Sequence, residues 1–99
     1  MPPYKLVSIK KSEKPDKKLV ATFRNKDTAR IKRVHFGAKG YEDYTIHKDL
    51  ERKRRYIKRH ASRENFNNYM SAGSLSRYIL WNKTSLRDSI LDYKKRFNL

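Results

Sequence analysis

A chain of 99 residues with 36% hydrophobic content suits one small domain with a modest core, and the absence of cysteine excludes disulfide stapling and thiolate metal sites. Lys and Arg number 26 against 10 Asp and Glu, a formal net charge of +16. Self-repulsion at that charge disfavours compaction, and a polyanionic partner relieves it: nucleic acid, an anionic membrane surface or acidic protein surfaces.

No apolar run approaches the roughly 18 residues that cross a bilayer, and Met1-Pro2-Pro3-Tyr4 does not begin a secretory signal, so no transmembrane segment and no secretion are expected. In chain order, residues 4–11 form a first β-like run around Leu6, Val7 and Ile9, followed by a polar, proline-containing turn at 12–16. Residues 18–24 alternate, with Leu19, Ala21 and Phe23 on one face and Val20, Thr22 and Arg24 on the other. After a turn at 25–28, a third strand over 30–36 puts Val34 and Phe36 on one face and Arg33 and His35 on the other. Ile31 is out of step with Val34, which predicts a bulge or a late start in this strand. Three antiparallel strands with one apolar face need a cover, and only downstream helices can supply it. Lys10, Lys11, Lys32 and Arg33 are expected on the solvated face or the edges, where solubility and ligand binding are equally served.

The segment 37–45 joins the two halves. Gly37 and Gly40 suit a strand-to-helix turn, and the spacing matches neither a Walker A loop nor a dinucleotide fingerprint. Tyr41 and Tyr44 are expected to pack under this loop, with stacking on a base as the alternative. A first helix is predicted from Thr45, as N-cap, to about Ala61. Its inward stripe holds Ile46, Leu50, Ile57 and Ala61, with Lys53 in the middle, its stem lying along apolar surface. Between Ile46 and Arg63 there are eight Lys and Arg against two acidic residues, Asp49 and Glu51. A merely solvated helix interleaves signs at i,i+4, so this excess favours an anionic partner. The candidate polyanion-binding residues are Lys39, Lys48, Arg52, Lys53, Arg54, Arg55, Lys58, Arg59 and Arg63.

A polar link over 62–73 leads to a short helix over 74–81, apolar around most of its circumference and assigned to the core. A last helix over 85–97, capped by Thr84 or Ser85, carries the clearest period in the chain: Leu86, Ile90, Tyr93 and Phe97. The predicted architecture is therefore α+β, one domain over 1–99. It has a three-stranded antiparallel sheet over 4–36, a junction over 37–45, and three helices over 46–97 packed on one face. The predicted core is Leu19, Phe23, Val34, Phe36, Leu50, Ile57, Leu75, Ile79, Leu86, Ile90, Tyr93 and Phe97.

An ordered series of short motifs adds a resemblance. His35-Phe36-Gly37-Ala38-Lys39-Gly40-Tyr41, Asp43-Tyr44-Thr45 and His47-Lys48-Asp49 are followed by Arg54, Tyr56-Ile57, Arg59-His60, Glu64-Asn65, Ala72-Gly73, Ser76-Arg77 and Leu80-Trp81-Asn82-Lys83. Together they resemble a family of small, basic, uncharacterised proteins encoded by large nucleocytoplasmic DNA viruses of algae and protists. The likeness covers roughly 31–97. It departs in the link, where the family has tryptophan and proline and this chain has Phe66 and no proline. The resemblance implies a viral origin and a place in the virion and in host cytoplasm or nucleus, and transfers no catalytic residues.

For catalysis, His35, His47 and His60 are the candidates, with Glu42, Asp43, Asp49 and Glu64 near them in sequence. Neither HExxH spacing nor a paired-carboxylate pattern accompanies them, and each histidine is more simply structural or exposed, so no enzymatic activity, metal or cofactor is expected. Two non-enzymatic readings follow. In the first, the basic helix tracks the phosphates of nucleic acid, chiefly duplex DNA, with little sequence preference and with a tyrosine or Trp81 stacking. In the second, the protein is a minor capsid or scaffold-type component wedged between larger capsid proteins without direct DNA binding. A lone continuous positive face favours the first, and a large apolar patch the second.

Overall fold

The computed structural model describes residues 3–99, and the elements fall where the two-fold and helical periods put them. Strands β1 (Tyr4–Lys11), β2 (Lys17–Asn25) and β3 (Ile31–Ala38) form an antiparallel sheet in the order β1-β2-β3. The helical half follows as α1 (Tyr44–His47), α2 (Leu50–Ala61), α3 (Ala72–Leu75), which continues as a π-helical turn (Ser76–Leu80), and α4 (Leu86–Phe97). The expected α+β architecture is the observed one.

Leu6 faces Phe23 while Ser8 faces Thr22, so Val7 is an extra residue in β1. This bulge resets the alternation, and Leu6 and Ile9, three residues apart, both reach the core. Of the bulge or late start expected in the third strand, the bulge is absent: β3 begins at Ile31, one residue after the expected start, and pairs with β2 as far as Ala38 in unbroken register. Ile31 simply falls on the outer face with Arg33 and His35, and is 56% exposed.

The inner sheet face meets the apolar 72–80 segment. Ala21, Phe23, Phe36, Leu75, Ile79 and Tyr93 are fully buried there, and Ile90 and Phe97 of α4 pack against the same cluster. Burying a side chain of this size is worth about 1.5–3 kcal/mol, which makes this layer the main source of stability. Ser71 caps α3 by accepting from Ser74 N, and Ser85 caps α4 by accepting from Asp88 N. The assignment of the 74–81 segment to the core holds.

Three core expectations do not: Leu50, Leu86 and Ile57, the last half-buried outside the core cluster. Leu50 is 46% exposed and Leu86 37% exposed, and Ile46, at 57%, also faces solvent. The first helix is not continuous. Lys48 takes a left-handed conformation (φ 55°), which closes α1 after one turn, and Asp49 restarts the chain as the N-cap of α2. Asp43, not Thr45, caps α1. The break re-aims α2, so that Tyr56 is its buried residue and the Leu50, Ile57, Ala61 stripe is displaced outward.

Candidate nucleic-acid interface

The junction is built around two positive-φ glycines and one buried carboxylate. Gly37 (φ 82°) sits so close to Leu80 that a Cβ there would lie 2.7 Å from its Cδ1, so only glycine lets β3 pass the π-helical turn. Asp43, 2% exposed, accepts from Thr45 N at 2.9 Å and from the Thr45 hydroxyl, and takes the Lys18 ammonium at 2.6 Å. The start of the basic arm is thereby tied to β2.

A column of rings fixes α2. Tyr56 lies 4.2 Å from Trp81 with the planes 2° apart, and 4.2 Å from His60 at 27°. Two near-parallel rings at that distance can only lie on opposite faces of Tyr56, which is therefore sandwiched. Burial pushes its phenol up to about 12. His47 continues the column 5.2 Å from Trp81, and its Nδ1 accepts from Asp49 N. Lys53 adds a polar tie: its ammonium donates to Asn82 O at 2.6 Å and lies over the Tyr44 ring. Burial lowers the Lys53 pKa, with Arg77 adding to the effect. Asn82 in turn donates to Asp92 Oδ2 at 2.6 Å. Burial would raise the Asp92 pKa, but the Asn82 bond and the neighbouring Arg96 hold it below its ordinary value.

The nine candidate residues separate into groups. Lys53 is turned inward as described. Arg52 pairs with Glu42 at 3.5 Å and Arg54 with Glu51 at 3.2 Å, both solvent-exposed pairs of small energetic weight. Lys39, Lys48, Arg55, Lys58, Arg59 and Arg63 are exposed and, among the described residues, have no acidic partner. At about 100° per residue, Arg52, Arg55 and Arg59 share the side of α2 next to Tyr56, while Arg54 and Lys58 fall opposite. Cationic surface thus wraps the helix.

Beside α2 lies a cleft of about 480 Å³, between Arg52, Tyr56, Arg59 and His60 on the helix, the adjoining ends of β2 and β3, and the start of α3. Lys17, Glu42 and Glu64 add charge of both signs to its walls. Glu64 is 3.7 Å from His60 and lies directly over Gly73, where a Cβ would come 1.7 Å from its Oε2. Tyr41 lines the same cleft and is 74% exposed, so it does not pack under the loop as expected; Tyr44 is half-buried against His47. Lys17 meets the basic helix across segments distant in the chain, and no local signal joins the two; Tyr56 lies on the helix itself, but its stacking on Trp81 has no local signal either. Among the described residues no three His, Asp or Glu side chains gather as metal ligands.

Fold and surface define a small α+β domain whose sheet and C-terminal helices carry a protruding basic arm. A profile described as a family of unknown function (DUF5754) matches residues 7–60, more than half of the chain, and the protein belongs to that family. No curated protein and no solved structure matches it. The matched span runs from β1 to the end of α2. It therefore takes in the N-terminal strands, which the motif resemblance over 31–97 did not, and stops short of Trp81.

Proposed function

We propose that this is a non-enzymatic nucleic-acid-binding protein of a large DNA virus, carried in the particle and present in host cytoplasm or nucleus, which holds duplex DNA on α2 through charge. The single observation that carries the reading is the set of unpaired cations on the arm. Arg55, Lys58, Arg59, Arg63 and Lys48 are exposed without acidic partners among the described residues, in a chain of net charge +16. Spread around a helix instead of focused on a few positions, such cations neutralise phosphates without reading base edges. The viral setting rests on the motif series and on nothing else. The test is the affinity for two unrelated duplexes across a salt series. With about five phosphates neutralised, log affinity falls with log salt at a slope near −4.5 for both sequences. Affinity unchanged in high salt, or strong preference for one sequence, contradicts the reading.

One observation favours a second reading, a capsid wedge. Ile46 and Leu50 leave apolar surface exposed on the arm, at 57% and 46%, which the protein's own core does not use. In that case the arm meets an acidic protein face without binding DNA directly: the parent binds neither duplex, and Ile46→Ser with Leu50→Ser abolishes incorporation into particles.

A further inference from the structure

The cleft beside α2 has features that a phosphate-tracking helix does not require. Its volume of about 480 Å³ lies within the range of small-ligand sites and is far too small to admit a double helix. Its walls are of mixed charge. Lys17 and Arg59 have no acidic partner among the described residues, yet Glu42 and Glu64 line the same space. Two carboxylates repel a bare phosphate, but they accept hydrogen bonds from the exocyclic amine of a cytosine or adenine. At this site Tyr41 holds an aromatic ring 74% exposed, a stacking face with little of its surface used by the fold. The stacked Trp81, Tyr56 and His60 rings line the same cleft.

We infer that the cleft takes one unpaired nucleotide, with its phosphate on Arg59 and Lys17, its amino-bearing base facing the carboxylates, and its ring against Tyr41. This rests on the nucleic-acid reading of α2 and deepens it: Arg52 and Arg59 belong to both the basic helix and the cleft wall, so a strand bound along the arm passes the mouth. The protein then favours single-stranded or frayed ends bearing an amino-substituted base (cytosine, adenine or guanine) over thymine and over blunt duplex.

Trp81 is the only tryptophan and lines the cleft, so its emission reports occupancy. The parent protein is titrated with deoxycytidine 5′-monophosphate, an oligo-deoxycytidine, an oligo-thymidine, inorganic phosphate and a labelled blunt duplex. Expected are a saturable change in Trp81 emission with the first two, a weaker one with oligo-thymidine and none with inorganic phosphate. A monophosphate that matches the oligomer identifies free nucleotide as the source of the ligand; a tighter oligomer identifies a strand. Tyr41→Ala, far from the core, weakens oligo-deoxycytidine binding about tenfold and leaves blunt-duplex affinity unchanged. Equal response to inorganic phosphate, or Tyr41→Ala binding the oligomer as well as the parent, overturns the inference. Duplex binding with no Trp81 response to the oligomer overturns the cleft while α2 stands; failure of every nucleic acid to bind removes both.

Discussion

The layer made of the sheet, the 72–80 segment and α4 is held differently from the arm made of α1 and α2. In the layer, six residues from two strands and two helical segments are fully buried together. The arm buries one side chain of α2, Tyr56, and otherwise hangs on the Lys18–Asp43 pair and the Lys53–Asn82 bond. A strongly cationic helix cannot sit inside a core without stripping water from its charges, so it is attached at its edge by flat rings and single polar ties. The buried contacts are thus concentrated in the layer, while the arm is a dense run of cations held by few buried groups.

The largest expected effect lies in the layer. Phe23→Ala leaves a cavity between sheet and helices and costs about 3–5 kcal/mol, a large share of the stability of a domain this size. Urea unfolding reads it as a global loss. The same truncation in the arm should act locally. Tyr56→Ala removes both ring contacts, costs about 2 kcal/mol, and accelerates amide exchange in α2 well beyond that of β2. Equal acceleration in both elements would mean that the arm and the layer unfold as one unit, and the contrast drawn above would be lost.

What the sequence disclosed follows the same division. The layer was legible because its signals are local: alternation in β2, an all-round apolar segment at 74–81, and the Leu86, Ile90, Tyr93, Phe97 period. Within it, the bulge at Val7 was missed although Leu6 and Ile9, an odd number of residues apart, hinted at a parity break. The arm's charge was equally plain, but its orientation was not. Two aspartates, Asp43 and Asp49, can each cap a helix, and the left-handed Lys48 between them has no sequence signature of its own. Taking the helix as continuous turned Leu50 and Ile57 inward and Tyr56 away. The Tyr56–Trp81 stack spans 25 positions, and nothing local to either residue announces it.

A smaller effect lies on the outer face of the sheet, where the β1–β2 turn meets β3. Glu13 takes two hydrogen bonds from Arg33, at 2.6 and 2.9 Å, which hold its carboxyl down to about 2 from an ordinary 4.5. Because the folded value lies below the unfolded one, the contribution is complete above about pH 4.5 and disappears as pH falls toward 2. Both side chains are exposed, so salt screens the pair and the effect is slight. Thermal midpoints of the parent should fall more than those of Glu13→Gln across that window at low salt, and alike at high salt.

The arginines of the arm are expected to bind by charge without contributing to the fold, and one measurement addresses both halves: the salt dependence of duplex affinity for the Arg52→Ala, Arg55→Ala, Arg59→Ala triple variant beside its thermal midpoint. These arginines are exposed or half-exposed and make no hydrogen bond or ion pair to the buried layer, so stability should stay within about 0.5 kcal/mol of the parent. The slope of log affinity against log salt should flatten by up to about three phosphates' worth. A triple variant that binds duplex DNA with the parent's affinity and slope, still folded, would contradict the account.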